Sequence, residues 1–328
     1  MKVFVSGGTG FIGKHLVPQL VKNGYDVVAL VRDPSKAAMF KKLSISIVIG
    51  DLTRPKSFDN QLRTCDVFIH LAALRANWGK TKDFYAVNTG LFNSLLRKKT
   101  TLKHIIVTSS VYVFGDLKKI PADETHPLQA RDLYGKSKVV LEQQVMKLPI
   151  PYTIIRPAIV YGPGDNKISF MNKLIAMIKR KKMFLAGSGK NLIHLIYIDD
   201  LVKGYLNVIK KGGENQVYIF AGPTPIALEK LIAMISKKLH VQVSYIRLPY
   251  FFVLLASYIS AGIYRCIFVL FPQLIHNEPF LLPIKVKTIG KSWYYTTSKA
   301  KKNLQFYPRV SYNQGIKNVL LFDKINIH

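Results

Sequence analysis

The stretch Met1-Lys-Val-Phe-Val-Ser-Gly-Gly-Thr-Gly-Phe-Ile-Gly-Lys14 decides how the rest of the chain folds. Residues Lys2–Ser6 alternate and are rich in β-forming side chains, which predicts a strand. After three glycines, apolar residues recur at helical spacing until Asn23-Gly24 stops them: Phe11, Ile12, Leu16, Val17, Leu20 and Val21. The stretch therefore predicts a strand, a glycine turn and a helix.

The three glycines have separate roles in such a turn. Gly7 permits the tight bend, Gly10 lacks the Cβ that would keep a pyrophosphate off the backbone, and Gly13 lets the helix pack close to the strand. The helix N-terminus at Phe11 and Ile12 then faces the phosphates. This spacing predicts a dinucleotide site; the alternative is a plain βα turn of a doubly wound protein.

Composition sets the outer bounds. The chain has 328 residues, 49% of them hydrophobic, and two cysteines without a partner spacing. We therefore expect a globular protein of one large domain or slightly more, in a reducing cytosol and without a disulfide framework. The histidines show no ligand spacing, so we expect no metal, and the apolar start is a core strand and not a secretory signal.

The net charge of +30 is unevenly spread. Residues 1–165 carry 24 basic and 12 acidic side chains, and residues 166–328 carry 24 and 6. A field of this sign attracts phosphates and anionic lipid, although a lysine-rich proteome is the plainer account. The chain has no zinc-finger, RRM or helix-turn-helix pattern, so we expect no nucleic-acid partner.

The second strand, predicted over Tyr25–Asp33, ends in residues that select the cofactor. A carboxylate at this tip would bind an adenosine ribose hydroxyl, whereas an arginine would pair with a 2′-phosphate. Arg32, with Lys36 one turn later, favours NADP(H). Asp33 keeps NAD(H) open, because it can reach a ribose hydroxyl or cap the helix that begins at Pro34.

Two further strands, predicted over Ser44–Gly50 and Val67–Ala73, end on the same side. Ligands collect at the carboxyl ends of parallel strands, which places Asp51 near the adenine amino group. A plain helix cap is the alternative for Asp51. The small pair Ala72 and Ala73 lets the ribose lie close. The candidate cofactor residues at these two strand ends are Asp51, Leu52, Leu71, Ala72 and Ala73.

The chemical centre follows a fifth strand, His104–Thr108. Tyr134 and Lys138 are four residues apart and share a helix face, so the lysine ammonium should lower the pKa of the phenol. Ser110, at the strand end across the cleft, can donate to the same substrate oxygen. The combination predicts a tuned acid and base for hydride transfer.

These segments together resemble the extended short-chain dehydrogenase/reductase superfamily over nearly the whole chain. The resemblance rests on Gly7–Gly13, Asp51-Leu52, His70–Ala73, Asn88, Thr108–Ser110, Tyr134 with Lys138, Arg156–Pro163 and Tyr197–Asp200. It implies Tyr134 as catalytic acid and base, Lys138 on the nicotinamide ribose, and Ser110 on the substrate oxygen. It also implies a helix-bend or proton-relay role for Asn88, cofactor contact at Thr108, and Pro157 lining the nicotinamide pocket.

Two departures favour an apolar substrate. Family members often read Val-Tyr-Gly after the serines, whereas this chain reads Val113-Phe114-Gly115, which removes a hydroxyl. Aromatic residues in Lys291–Ala300 replace a diphosphate clamp. With Trp78-Gly79, this stretch resembles the branch of 3β-hydroxysteroid and sterol dehydrogenases and dihydroflavonol reductases.

The predicted fold is α/β: a Rossmann-type doubly wound parallel sheet with a smaller C-terminal substrate lobe. Residues 1–165 form the NAD(P)-binding domain, to which the chain returns at about 193–222, with the last strand over Gln216–Phe220. Residues 166–328 form mainly the substrate-binding lobe. Its apolar segment 249–271 is a buried helix, an interfacial anchor or a transmembrane helix.

We therefore expect an NAD(P)-dependent oxidoreductase for an apolar, sterol-like or lipid-like hydroxy/keto substrate. The alternatives are a nucleotide-sugar epimerase or dehydratase and a non-catalytic dinucleotide-binding scaffold. The apolar segment and the basic second half predict a cytoplasmic protein, peripheral or monotopic on an anionic membrane surface. A homodimer is compatible with the sequence.

Overall fold

The computed structural model describes residues 1–75, 80–95, 101–271, 279 and 281–325. Thirteen strands are assigned within these residues. They are β1 (Lys2–Ser6), β2 (Asp26–Val31), β3 (Ser46–Ile49), β4 (Val67–His70), β5 (His104–Thr108), β6 (Tyr152–Pro157), β7 (Ile159–Tyr161), β8 (Lys182–Ala186), β9 (Leu192–Ile193), β10 (Leu195–Tyr197), β11 (Gln216–Phe220), β12 (Ile226–Ala227) and β13 (Ser244–Leu248).

Eleven α-helices accompany the strands in the described part of the chain. They are α1 (Phe11–Lys22), α2 (Asp59–Arg63), α3 (Thr81–Leu95), α4 (Leu133–Val145), α5 (Phe170–Lys179), α6 (Ile198–Lys211), α7 (Leu228–Leu239), α8 (Tyr250–Leu270), α9 (Pro283–Gly290), α10 (Ser298–Leu304) and α11 (Tyr312–Ile325). Short 3₁₀ helices span Pro34–Phe40, Pro55–Ser57 and Val111–Phe114.

Seven strands form one parallel sheet in the order β11-β6-β5-β4-β1-β2-β3. The order reverses between β1 and β4, so a crevice opens at the carboxyl ends of these two strands. The predicted α/β fold with a doubly wound parallel sheet is confirmed. The second, third and fourth strands were predicted too long, because their final residues leave the sheet and form the loops that line this crevice.

Apolar side chains cover both faces of the sheet, as a parallel sheet requires. Val3 and Val5 on β1 belong to the larger buried cluster, while Phe4 between them belongs to the cluster on the opposite face. This alternation fixes the register of β1 against its neighbours. The strand ends above the crevice are therefore held rigidly from both sides.

The second half of the chain contributes to the same sheet. β11 pairs with β6 from Gln216↔Thr153 to Phe220↔Pro157 and forms one edge of the sheet, as its sequence predicted. Just before it in the chain, α6 packs against α1. The division into a domain of residues 1–165 and a lobe of residues 166–328 stays a prediction.

An outer layer carries the apolar segment. β8 and β13 form a small parallel sheet, and β13 leads into α8, which packs against α9. Only 6% of the most apolar 18-residue window of α8 is buried, although the helix is long and apolar enough to cross a membrane. Of the three alternatives for this segment, the buried helix is therefore wrong, because the described residues cover α8 on one narrow face only.

Candidate active site

The glycine turn at the end of β1 is closed by backbone hydrogen bonds. The Gly10 N–H donates to the Gly7 carbonyl at 3.0 Å, and Gly7 has φ +75°, a conformation that favours glycine. A Cβ on Gly13 would lie 2.3 Å from the Gly7 carbonyl oxygen. The first turn of α1 therefore packs directly onto the strand end, as the spacing predicted.

This turn fits the diphosphate of a dinucleotide. A Cβ on Gly10 would meet only the Gly7 carbonyl oxygen, at 3.1 Å, so the space above the turn is open. Gly10 is the N-cap of α1, and no side chain caps the helix there. The first N–H groups of α1, at Phe11 and Ile12, have no side-chain acceptor and are disposed to bind an anion.

The loop after β4 lies against the glycine turn. A Cβ on Gly7 would come within 2.6 Å of the Ala72 nitrogen and 2.9 Å of the Leu71 carbonyl carbon. Leu71, Ala72 and Ala73 are all half-buried at this edge. The structure thus brings together two groups of predicted cofactor residues that are some sixty positions apart in the sequence.

The residues expected to choose the cofactor lie at the tips of β2 and β3. Asp33 caps the following 3₁₀ helix, since its carboxylate accepts from the N–H and hydroxyl of Ser35 at 3.1 and 2.7 Å. Asp51 similarly accepts from the N–H and hydroxyl of Thr53 at 2.8 and 2.9 Å. Asp33 is thus a helix cap, whereas Asp51 closes a local turn with Thr53, and Leu52 beside Asp51 is buried.

Arg32 is exposed at the same edge. The pKa of Asp33 is lowered mainly by its hydrogen bonds from Ser35, and that of Asp51 by its bonds from Thr53. The Arg32 charge contributes to both shifts. Arg32 therefore lies near two carboxylates, with its own side chain open to solvent.

Tyr134 lies in the first turn of α4. The helix is capped by Asp132, whose carboxylate accepts from the Gly135 N–H at 2.8 Å. Tyr134 is half-buried, and Ser110 lies near enough to its hydroxyl to lower the pKa of Tyr134 as a hydrogen-bond partner. The two side chains that were predicted to act on one substrate oxygen are therefore neighbours, and their joint role stays a prediction.

Lys138 lies below Tyr134 on the same helix face and is fully buried. Its Nζ donates to the Thr108 carbonyl at 2.7 Å and lies 5.8 Å from the centroid of the Tyr134 ring. Thr108 in turn shares a hydrogen bond with the Tyr205 hydroxyl at 2.5 Å. The end of β5 therefore holds the lysine beside the phenol.

The expected lowering of the Tyr134 pKa is wrong for this structure. Burial raises that pKa to about 12, against smaller opposing contributions from the charge of Arg75 and the hydrogen bond to Ser110. Burial also lowers the pKa of Lys138 to about 7, against the charge of Glu142. Loss of hydration disfavours both charged forms, and this outweighs the four-residue proximity from which the lowering was inferred.

A buried ion pair fixes α4 to the strand ends. Arg156 on β6 donates from Nε and Nη2 to the two Glu142 oxygens at 3.0 and 2.7 Å, and both side chains are almost fully buried. The Ser109 hydroxyl donates to the same carboxylate. Glu142 lies one helical turn beyond Lys138, so this pair helps to hold the helix that carries Tyr134.

Asn88 on α3 connects the loop after β4 with α4. Its Oδ1 accepts from the Leu74 N–H at 2.7 Å, and its Nδ2 donates to the Ser137 hydroxyl at 2.8 Å. Ser137 donates to the Tyr134 carbonyl at 2.7 Å. Asn88 thus acts on Tyr134 through its backbone, and its role as a relay stays a prediction.

Phe114, which stands where family members often have a tyrosine, is part of the core. It is fully buried, with its ring 6.0 Å from that of Tyr295 and the Arg156 guanidinium 5.0 Å from its centroid. Tyr112, two residues earlier, lies beside Tyr134 with ring centroids 6.2 Å apart. A different tyrosine is therefore present next to Tyr134.

Sequence reasoning missed Tyr112 and also Arg75. The charge of Arg75 acts on Tyr134, Tyr112 and Asp165, which places this exposed guanidinium at the mouth of the cleft. Tyr112 had a sequence signal, because it lies two residues after Ser110. Arg75 had a weaker signal, its position directly after the strand end His70–Leu74.

Pro157 ends β6, pairs with Phe220 and lies buried at the carboxyl edge of the sheet, and its place in the nicotinamide pocket stays a prediction. The Trp78-Gly79 pair lies outside the described residues. Among the residues that the structure describes, no group of three or more His, Cys, Asp or Glu could hold a metal ion.

Comparison with known proteins agrees with this geometry. The model of the NAD dependent epimerase/dehydratase family matches residues 3–221. The chain is 25% identical over 324 residues to a 4-hydroxy-2-methyl-3-oxo-4-farnesyl-3,4-dihydroquinoline-1-oxide ketoreductase of Stigmatella aurantiaca, covering 96% of this chain and 95% of the relative.

Two further comparisons cover almost the whole chain. The chain is 28% identical over 346 residues to a decarboxylating sterol-4-alpha-carboxylate 3-dehydrogenase of Candida albicans, covering 97% of this chain and 96% of the relative. A UDP-glucuronic acid 4-epimerase from Bacillus cereus, solved with NAD, superimposes with a TM-score of 0.77 at 22% identity and 99% coverage of both chains. At that identity the structural likeness shows the fold alone.

Proposed function

The chain belongs to the NAD dependent epimerase/dehydratase family, and on that premise we propose that it transfers a hydride between NAD(P) and an apolar hydroxy/keto substrate. It is an NAD(P)-dependent enzyme of the extended short-chain dehydrogenase/reductase type. The observation that carries the proposal is the placement of Lys138, buried with its Nζ 2.7 Å from the Thr108 carbonyl and 5.8 Å from the centroid of the Tyr134 ring, with Ser110 near the Tyr134 hydroxyl.

The proposed roles of Tyr134 and Ser110 follow from the protonation state of Tyr134. When bound, the dinucleotide supplies or accepts the hydride. With a pKa of about 12, Tyr134 carries its proton at neutral pH and donates it to the carbonyl oxygen during reduction. Ser110 donates a hydrogen bond to the same oxygen and stabilises the negative charge that develops on it.

Lys138 keeps the site ready for this transfer. Its pKa of about 7 means that the ammonium and amine forms are both populated at neutral pH. The ammonium form favours negative charge on the neighbouring Tyr134 oxygen while the proton leaves. The hydrogen bond from Lys138 to the Thr108 carbonyl keeps its Nζ at the end of β5.

Two observations support an apolar substrate. The relatives just described include a ketoreductase for a farnesylated quinoline oxide and a sterol-4-alpha-carboxylate dehydrogenase. Next to Tyr134 lies the ring of Tyr112, with centroids 6.2 Å apart, and the buried ring of Trp293 packs against Tyr112 at 6.4 Å. A flat apolar molecule packs favourably against an aromatic ring such as that of Tyr112. We therefore propose a sterol-like or lipid-like ketone or alcohol.

We further propose a preference for NADP(H) over NAD(H). Arg32 is exposed at the tip of β2, whereas Asp33 is engaged with Ser35 as a helix cap. A free guanidinium beside an occupied carboxylate favours pairing with a 2′-phosphate over binding of a ribose hydroxyl.

The proposed site of action is the surface of an anionic membrane. The outward face of α8 exposes Phe251, Phe252, Ile259, Val269 and Leu270 to fractions between 56% and 73%. Phe184 and Ile246, paired across β8 and β13, extend the apolar area with 56% and 45% exposure. The excess of basic residues in the second half adds attraction to anionic headgroups.

A turnover panel tests the proposed function. Full-length protein is assayed with NADPH and with NADH against 3-ketosteroids, flavonoid-type ketones and UDP-sugars. We expect turnover with the apolar ketones and faster reaction with NADPH. Reaction with UDP-sugars alone would replace the proposal with the nucleotide-sugar alternative.

A vesicle assay tests the location. We expect the protein to sediment with anionic vesicles, to be released only partly by high salt, and to stay in the supernatant when residues 250–271 are replaced by a short polar linker that leaves dinucleotide binding intact. Unmodified protein that stays wholly soluble beside such vesicles would contradict the membrane proposal. Light scattering of the detergent-solubilised protein tests whether the protein is a homodimer, which the sequence allows.

A further inference from the structure

Asp116 is a single carboxylate that links two parts of the fold. One is the segment that follows Ser110, called here the catalytic segment, and the other is helix α9. Asp116 follows the 3₁₀ helix Val111–Phe114 that begins after Ser110. Three cations meet its two oxygens: Arg131 at 3.2 Å, Lys287 at 3.5 Å and Lys291 at 3.8 Å. In a chain with 48 basic and 18 acidic residues, three cations share this one carboxylate.

The three cations come from the segments that surround the site. Arg131 immediately precedes Asp132, the cap of the helix that carries Tyr134. Lys287 lies on α9 and Lys291 directly follows that helix. Asp116 therefore connects the start of α4, the catalytic segment and α9 through one group.

Helix α9 in turn contacts the aromatic residues next to Tyr134. The Trp293 indole N–H donates to the Lys287 carbonyl at 3.2 Å, and the Trp293 ring packs against Tyr112 with the centroids 6.4 Å apart. Thr288, next to Lys287, is near enough to the Tyr112 hydroxyl to oppose the rise that burial causes in the pKa of Tyr112. Helix α9 therefore holds Trp293 directly, and Trp293 supports Tyr112, the ring beside Tyr134.

Helix α9 also packs against α8, the helix that exposes the apolar surface. The Lys287 Nζ lies 5.9 Å from the centroid of the Tyr258 ring on α8. A Cβ on Gly290 would lie 2.4 Å from the Tyr250 ring, so the end of α9 packs closely against the start of α8. Lys287 therefore stands between the carboxylate at the catalytic segment and the helix proposed to meet the membrane.

We propose that Asp116 is a positioning residue for substrate recognition: by holding Lys287 and Lys291 it fixes α9, and α9 fixes Trp293 behind Tyr112, the aromatic wall beside Tyr134 on which a flat apolar substrate lies. The inference rests on the proposed function and adds to it the determinant of substrate specificity. It also gives α8 a direct structural connection to the substrate wall.

The expected signature lies in substrate binding and not in chemistry. A wall that contacts substrate and transition state alike contributes uniform binding, so its loss raises KM and leaves kcat nearly unchanged. A partly exposed ion pair contributes up to about fivefold in an equilibrium constant, and three of them share Asp116. We expect Asp116→Asn to raise KM for a 3-ketosteroid about tenfold, with kcat and the dissociation constant of NADPH within about twofold.

Matched variants separate positioning from general damage. Asp66→Asn is the control, because Asp66 pairs with Lys103 at 2.7 Å in a part of the fold away from the site. Asp116→Glu should restore most of the affinity, since it keeps the charge. Thr288→Val removes the threonine hydroxyl near Tyr112 and should raise KM in the same direction as Asp116→Asn.

Tryptophan fluorescence gives a readout that is independent of turnover. The chain has two tryptophans, so Trp78→Phe leaves Trp293 as the single reporter. In that background Asp116→Asn should shift the Trp293 emission to longer wavelength, whereas Asp66→Asn should leave it unchanged. The shift would report that α9 has loosened even if no substrate were turned over.

The outcomes separate the two proposals. If the unmodified protein reduces no ketone but Asp116→Asn still shifts the Trp293 emission, the proposed function is wrong and the structural connection through α9 is supported. A KM for Asp116→Asn within twofold of the unmodified value, or an equal rise in Asp66→Asn, would overturn the positioning role. If Asp116→Asn fails to fold, Lys287→Met takes its place, and an unchanged KM in that variant overturns the inference.

Discussion

Replacing Arg156 with methionine should destabilise the protein strongly, because it leaves the buried Glu142 carboxylate without its partner cation. Arg156 and Glu142 are 3% and 0% exposed, and two hydrogen bonds of 2.7 and 3.0 Å join them. Removing one partner of a buried ion pair costs about 3–5 kcal/mol, since the other charge stays buried without compensation. Among the residues that the structure describes, the Ser109 hydroxyl is the one hydrogen-bond donor that would remain on the Glu142 carboxylate.

This loss converts into a measurable shift in melting temperature. Unfolding entropy is about 2.1 cal/mol/K per residue, which for 328 residues gives about 0.7 kcal/mol/K. A loss of about 3–5 kcal/mol therefore lowers Tm by about 4–7 °C. Scanning calorimetry, together with urea unfolding followed by circular dichroism, measures both quantities.

An exposed ion pair of the same length provides the control. Lys103 and Asp66 are also 2.7 Å apart, but the Lys103 side chain is 77% exposed. Lys103→Met should therefore cost less than about 1 kcal/mol. The double variant Glu142→Leu with Arg156→Met should be more stable than Arg156→Met alone, because it also removes the unpaired buried carboxylate of Glu142. Equal losses in Arg156→Met and Lys103→Met would refute the argument from burial.

Three further predictions concern the cofactor and the acid. Arg32→Ala should weaken NADPH binding by about 1.5–3 kcal/mol and leave NADH almost unaffected, as measured by cofactor fluorescence titration; equal weakening would make Arg32 structural. Because the pKa of Tyr134 is about 12, kcat/KM for alcohol oxidation should rise about tenfold per pH unit from pH 8 to 10, and a plateau near pH 8 would mean that burial does not dominate. Gly13→Ala puts a Cβ 2.3 Å from the Gly7 carbonyl oxygen and should abolish dinucleotide binding, whereas Gly90→Ala, with nothing within 4 Å, should preserve it in the same titration.

Local patterns predicted much of the fold. The strand, glycine turn and helix at the N-terminus follow from side-chain periodicity and from the conformations that Gly7 and Gly13 allow. The edge strand Gln216–Phe220 was likewise readable from its own residues. Such features depend on neighbours in the sequence, so one chain is enough to infer them.

The site was predicted less completely, because its properties depend on burial and on distant contacts. The four-residue spacing showed that Tyr134 and Lys138 share a helix face, but it did not show how far water is excluded, so the direction of the Tyr134 pKa shift was wrong. The proposed role of Asp116 could not be predicted from the sequence for a similar reason. Two of its three partners lie about 170 residues later in the chain.

Single-turnover oxidation of NADPH by a 3-ketosteroid, in the unmodified protein and in Tyr134→Phe, tests the central claim most directly. The variant removes the proton that reduction requires and keeps the shape of the ring, and Tyr152→Phe controls for the loss of a tyrosine hydroxyl elsewhere. We predict a fall of about 100-fold or more in Tyr134→Phe, with NADPH affinity intact and Tyr152→Phe unaffected. Equal rates in the unmodified protein and Tyr134→Phe would contradict the proposed hydride-transfer mechanism.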